Sequence, residues 1–212
     1  MTPSALHRRL GLVVITDAGL AHPRSVNEVV SLALAAGAPA IQIRNKGDSP
    51  RQLVELGRAL RTATRGAGAL LFLNDRMDLA LAVEADGVHL GPNDLPVRAV
   101  RRIAPPGFLI GRSADDPDVA RQAVEDGADY IGCGTVYPTS TKRDAGEVIG
   151  LDGLRRVVRA VSVPVVAIGG ITTDRAVEVA ATGAAGVAVV GAVMAATDPI
   201  EAVRRLRGPF IS

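Results

Sequence analysis

Eight short runs of mostly Val, Ile and Leu recur along the chain, each followed by a longer segment of helical periodicity. The runs fall at 12–16, 40–44, 70–73, 87–90, 108–111, 130–133, 165–168 and 187–190. None alternates apolar with polar, so each reads as a strand buried on both faces, the pattern of a parallel sheet covered by helices. Helical segments are predicted at 26–36, 50–64, 76–83, 96–103, 117–125, 151–160, 174–181 and 199–206. Ser25, Ser49, Asp116 and Asp198 stand where N-caps belong, and Pro50, Pro117 and Pro199 occupy first helical positions.

Eight strand–helix units in 212 residues predict a single-domain α/β chain, a (β/α)8 TIM barrel near the lower size limit of that fold, with its units between about residues 11 and 207. An open doubly wound sheet is the competing architecture. Closure is favoured because eight units follow one another with no linker, low-complexity stretch or break in composition. A phrase recurs where helix gives way to strand: Gly37-Ala38-Pro39, Gly127-Ala128-Asp129 and Gly183-Ala184-Ala185, with Ala85-Asp86-Gly87 as a shorter echo. It is read as a left-handed helix stop followed by a turn into the sheet.

Composition narrows the function classes. A formal net charge of +2 and 2% aromatic residues without Trp give neither the field nor the stacking surface of a nucleic-acid binder. The pairs Arg101-Arg102, Arg155-Arg156 and Arg204-Arg205 are read as solvated outer faces of helices. The single cysteine, Cys133, excludes an intrachain disulfide and reads as a small core residue. No apolar run approaches the ~18 residues of a membrane span, and the N-terminus lacks a signal-peptide core. The expectation is a soluble cytoplasmic protein that acts on small molecules.

In such a barrel the chemistry lies at the C-terminal ends of the strands. The second strand ends in Gln42-Ile43-Arg44-Asn45-Lys46, and strand alternation puts 42, 44 and 46 on one side, which in a barrel can be the lumen. Two cations beside an amide suit a polyanion such as a diphosphate; a solvated strand exit is the plainer alternative. Asn74-Asp75 close the third strand and Pro92-Asn93-Asp94 follow the fourth. Singly, each carboxylate reads as a helix cap; together, beside a basic pocket, they read as ligands of one Mg²⁺.

His89, on the fourth strand, is a hydrogen-bonded core residue, a base, or a ring packed on a heterocycle. Ser113 either binds a phosphate or leaving-group oxygen or merely ends its strand. The loop Thr139-Ser140-Thr141-Lys142 offers hydroxyls and an ammonium to an anion. Gly169-Gly170 and Val190-Gly191, after the last two strands, let backbone amides approach an oxyanion, at a frequent phosphate site of such barrels. His7 and His22 read as surface residues.

Taken together, the motifs resemble the thiamine phosphate synthase family along nearly the whole chain. The most specific are Gln-Ile-Arg-Asn-Lys at 42–46, Asn-Asp-Arg-Met-Asp-Leu-Ala at 74–80 and Ala-Asp-Gly-Val-His-Leu-Gly at 85–91. To these are added Gly-Ala-Asp-Tyr-Ile-Gly-Cys-Gly-Thr-Val-Tyr-Pro-Thr-Ser-Thr-Lys at 127–142 and Val-Ala-Ile-Gly-Gly-Ile at 166–171. The resemblance implies a transferase that joins 4-amino-2-methyl-5-(diphosphooxymethyl)pyrimidine to a thiazole ethyl phosphate and releases diphosphate.

By position it implies that Gln42, Arg44, Lys46, Asn74 and Lys142 hold the pyrimidine diphosphate, with Ile43 and Asn45 in the same segment. Asp75 and Asp94 would bind Mg²⁺, Ser113 would meet the departing diphosphate, and His89 would lie against the pyrimidine. Thr139, Thr141, Gly170 and the backbone at Val190 and Gly191 would hold the thiazole phosphate, with Ser140 in the same loop. Ser113 and Lys142 are the residues expected to act on the reacting bond. Asn45, Pro92 and Gly191 depart from the acidic residue, Gln and Ser usual at these positions, and no His follows two residues after Ser113. A thiazole tautomerase on the same barrel and a non-catalytic barrel for a phosphorylated ligand are the alternatives. A homo-oligomer is compatible with every one of these readings.

Overall fold

A computed structural model describes residues 3–44, 47–139 and 147–211. The strands are β1 (Leu12–Ile15), β2 (Ala40–Ile43), β3 (Leu70–Asn74), β4 (Gly87–Leu90), β5 (Leu109–Ser113), β6 (Tyr130–Cys133), β7 (Val165–Ile168) and β8 (Gly186–Val189). Each pairs in parallel with the next and β8 pairs with β1, which closes a (β/α)8 barrel and excludes the open sheet. Around it run α1 (Pro3–Arg9), α2 (Ala18–Ala21), α3 (Val26–Ala35), α4 (Pro50–Ala67), α5 (Met77–Ala82), α6 (Val97–Ile103), α7 (Pro117–Glu125), α8 (Gly150–Ala160), α9 (Ala176–Ala180), α10 (Gly191–Met194) and α11 (Pro199–Arg207).

The helix starts follow from the capping chemistry. Ser25, Ser49, Asp116 and Asp198 each accept a hydrogen bond from the first turn of α3, α4, α7 and α11, and Ser49 forms a full capping box with Gln52. Replacing such a cap by Ala typically costs about 1 kcal/mol. The stops follow the recurring phrase: Gly37, Gly127 and Gly183 lie at φ 89°, 104° and 88°. In the shorter echo it is Glu84, at φ 54°, that takes the left-handed position.

Alternation along the strands divides the apolar residues between two cores. Val14, Ile41, Leu71, Val88, Ile110 and Ile131 face outward and pack under the helices. Val13, Ile15, Ala40, Leu70, Phe72, Leu109, Tyr130, Val166 and Ala188 fill the lumen, together with Leu6 and Leu10 at the barrel floor. The large rings fit because their neighbours are small: a Cβ at Gly111 would run into the Tyr130 ring, and one at Gly132 would lie 2.7 Å from His89 Cε1.

The lower rim is stitched by two matching ion pairs. Asp86, just before β4, accepts from Leu71 N at 2.8 Å and pairs with Arg61 at 2.7 Å. Asp129, just before β6, accepts from Ile110 N at 2.7 Å and pairs with Arg101 at 2.5 Å. Arg101 also donates to the carbonyls of Gly127 and Phe108, so it is a structural brace rather than a solvated helix residue. Cys133 is fully buried, and burial pushes its thiol up to about 12, as expected of a core residue. Among the described residues no helix is long and apolar enough to cross a membrane.

Candidate active site

The upper ends of β2 to β5 converge on one polar rim. The register sets Asn74 beside His89 and His89 beside Gly111, so the inward positions of neighbouring strands form a layer above Phe72 and Tyr130. In that layer Gln42 Nε2 donates to Asn74 Oδ1 at 2.8 Å. His89 Nε2 lies 2.9 Å from Ser113 Oγ, and His89 Nδ1 lies 3.1 Å from the Tyr130 hydroxyl. Arg44, half-buried, is anchored through its backbone N–H to the buried Thr16 hydroxyl at 3.0 Å.

Asp75 and Asp94 meet at this rim. Asp75 sits in the left-handed region at φ 64°, unusual for a residue with a side chain, and its N–H donates to the His89 carbonyl at 2.8 Å. Asp94 accepts from Gly91 N at 2.6 Å. Neither carboxylate caps a helix: α5 begins after Arg76 and α6 after Pro96, and neither start has a side-chain cap. The capping alternative is thereby removed for both.

Burial, together with the hydrogen bond and the repulsion from Asp94, pushes Asp75 from 3.8 up to about 6. Asn74 and the Arg44 guanidinium act in the opposite direction without cancelling it. Two half-buried carboxylates lie against one another, with a cation supplying only part of the balance, and oxygen donors of this kind could hold a hard divalent ion. Mg²⁺ needs only one or two such ligands beside phosphate oxygens and water. Among the described residues no cluster of three or more His, Cys, Asp or Glu could replace this pair as a metal site.

The loops after β6 and β7 are locked together at the opposite side of the mouth. Val136 N and Tyr137 N donate to the carbonyls of Ile168 and Gly169, both at 3.0 Å. Gly170 takes φ 62°, and a Cβ there would lie 2.5 Å from the Pro138 oxygen, so glycine is required for the two loops to approach. Arg175 donates to the Gly170 carbonyl at 2.6 Å and stacks 4.4 Å over the Tyr137 ring. Thr139 is half-buried at the end of this segment, and Val190 and Gly191 lead from β8 into α10. Asn45, Lys46, Ser140, Thr141 and Lys142 lie outside the described residues.

Among the described residues Ile43 is the one candidate that strand alternation turns away from this mouth; it is buried in the outer core. Two participants escaped the sequence reading. Tyr130 was visible only as the start of a strand, yet its hydroxyl supports His89. Arg112, next to Ser113, donates to the carbonyls of Gly91 and Pro92 and so braces the loop that carries Asp94. Both contacts join neighbouring strands, and only their register reveals them.

Comparison with known proteins points the same way as this geometry. A sequence model described as thiamine monophosphate synthase matches residues 12–193. A thiamine-phosphate synthase of Moorella thermoacetica is 52% identical over 196 residues, covering 92% of this chain and 93% of that protein. One from Pyrococcus furiosus is 50% identical over 202 residues, covering 95% of each. The solved structure of a thiamine phosphate pyrophosphorylase from Pyrococcus furiosus superposes with a TM-score of 0.89 at 48% identity, covering 97% of both chains. With the match running through every strand and the rim residues gathered at one mouth, the chain belongs to the thiamine monophosphate synthase family.

Proposed function

We propose that the chain is a thiamine-phosphate synthase, transferring the pyrimidine-methyl group of 4-amino-2-methyl-5-(diphosphooxymethyl)pyrimidine to the nitrogen of a thiazole ethyl phosphate. The observation that carries this reading is the convergence of Arg44, Asp75, Asp94, His89 and Ser113 on one rim in a chain about half identical to enzymes of that name. The C–O bond to the diphosphate breaks with its electron pair leaving on oxygen, and the thiazole nitrogen supplies the pair for the new C–N bond. Electron donation from the aminopyrimidine supports the first step, so no covalent nucleophile is required.

The work of the protein is therefore to stabilise charge on the leaving group and to align two rings. Asp75 and Asp94 are the residues that would hold Mg²⁺. When bound, the ion neutralises charge on diphosphate oxygens. Arg44 provides a fork for those oxygens, joined by Lys46 and Lys142 from the segments beyond the described residues. Gln42 and Asn74, already bonded to each other, present amides to the pyrimidine diphosphate, and His89 offers a ring face to the heterocycle. Ser113 would donate a hydrogen bond to the departing oxygen. Thr139, Gly170, Val190 and Gly191 would hold the thiazole phosphate on the far side of the mouth, so the two substrates meet across the lumen.

The test is purified protein with both substrates and Mg²⁺, with thiamine phosphate followed directly. Turnover abolished by EDTA is expected. No product under these conditions would overturn the assignment and favour a tautomerase or a ligand-binding barrel.

A further inference from the structure

We infer that Tyr130 is a positioning residue that fixes the direction of the hydrogen-bond chain Tyr130–His89–Ser113, so that Ser113 faces the mouth as a donor. The inference rests on the reaction proposed above for its consequence, but its geometry stands on the chain alone.

Tyr130 is 2% exposed at the bottom of the polar layer, its ring edge-on to Phe72 at a centroid distance of 5.4 Å and seated over Gly111. Its hydroxyl bonds to His89 Nδ1, and the other ring nitrogen meets Ser113 Oγ. A neutral imidazole carries one N–H and one lone pair, so it transmits direction: whichever end accepts, the other donates.

One of the two neutral tautomers of His89 can be set aside. If Nδ1 bore the proton it would donate to the phenol oxygen, and the phenol hydrogen would be left buried with no acceptor among the described residues. Burial also pushes the phenol well above its ordinary range, so Tyr130 keeps its hydrogen at any working pH. The state that satisfies every buried group has Tyr130 donating to Nδ1 and Nε2–H donating to Ser113 Oγ.

That leaves the Ser113 hydrogen uncommitted towards His89. A serine that donated to the imidazole would turn only lone pairs towards a diphosphate and repel it. With the chain running from Tyr130 outward, Ser113 offers a hydrogen to the oxygen on which charge develops. Tyr130 thus acts at one remove, through a residue that it holds in a single tautomer.

Nitrogen-15 NMR of the full-length protein labelled at histidine tests this directly. The chain has three histidines, and His7→Gln and His22→Gln variants assign the remaining resonances to His89. The expected spectrum at neutral pH shows Nε2 protonated and Nδ1 unprotonated; the reverse tautomer or a doubly protonated ring overturns the inference. This readout needs no turnover, so its failure is distinct from a failure to make thiamine phosphate.

Kinetics supply a second test. Tyr130→Phe, which keeps the ring packing, is expected to lower kcat about 10-fold with KM changed less than about twofold. In a Ser113→Ala background the same substitution should cost less than about twofold further, because its route to the substrate is already cut. Losses that multiply in the double variant would mean that Tyr130 acts independently of Ser113, and the inference falls. Should Tyr130→Phe fail to fold, the wild-type spectrum decides alone.

Discussion

The two rims of the barrel each carry a pair of aspartates, and the fold surrounds them in opposite ways. At the lower rim Asp86 and Asp129 each accept a backbone N–H from the preceding strand and pair with an arginine. They sit in separate places, each with its charge balanced within hydrogen-bond distance. At the upper rim Asp75 and Asp94 are set against one another, with a raised pKa on the first and a left-handed backbone beneath it. One rim uses carboxylates to hold strands together; the other sets them against one another, an arrangement that a proton on Asp75 or a further cation would relieve. Repulsion between the two carboxylates, retained in one pair and avoided in the other, marks where a fold performs work.

The largest test of this contrast is removal of the upper pair. Asp75→Ala or Asp94→Ala should reduce thiamine phosphate formation by 10²-fold or more, about the scale of losing a principal electrostatic contact, while circular dichroism stays native. Asp129→Ala should do the reverse. It strips partners from the Arg101 guanidinium and Ile110 N–H and should lower unfolding free energy by about 2–3 kcal/mol in urea titrations, leaving the specific activity of folded protein near wild type. An activity loss from Asp129→Ala comparable to that from Asp75→Ala would erase the distinction between the rims.

Asp75→Asn sharpens it. Asn keeps the shape, tolerates the left-handed backbone and removes the repulsion. A carboxyl raised in the folded state above its unfolded value destabilises the fold as pH climbs from about 4 through about 6, and the penalty is complete above that. Screening by water at this half-exposed site limits it, so metal-free Asp75→Asn should be more stable than wild type by about 1 kcal/mol at pH 7.5 and no different near pH 3. Thermal melts in EDTA across that range check it. The smallest effect belongs to Glu84→Gly: relief of the left-handed position before β4 should outweigh the exposed Arg65–Glu84 pair and raise the thermal midpoint slightly.

Much of this was legible in the chain. The eight strands announced themselves because a parallel barrel strand is apolar on both faces, and the caps at Ser25, Ser49, Asp116 and Asp198 because capping is local chemistry. The rim candidates Gln42, Arg44, Asn74, Asp75, His89, Asp94 and Ser113 could be found because the fold puts function at strand ends. Hidden were features that depend on partners distant in sequence. Asp86 and Asp129 read as turn residues because Arg61 and Arg101 lie 25 and 28 residues away. The helices α1, α2 and α10 are short additions to the eight strand–helix units, so the repeating pattern leaves no place for them. The His89–Tyr130 link spans 41 residues and exists only through the strand register.

The Leu6 and Leu10 side chains plug the lower lumen, and the backbone that carries them runs so close to β8 that a methyl group at Gly186 would collide with the Leu10 carbonyl. A vessel stoppered at its base has a single doorway. Whatever lodges deepest must arrive first and depart last, so the order of molecular traffic through this protein is already written into two leucines that touch none of its chemistry.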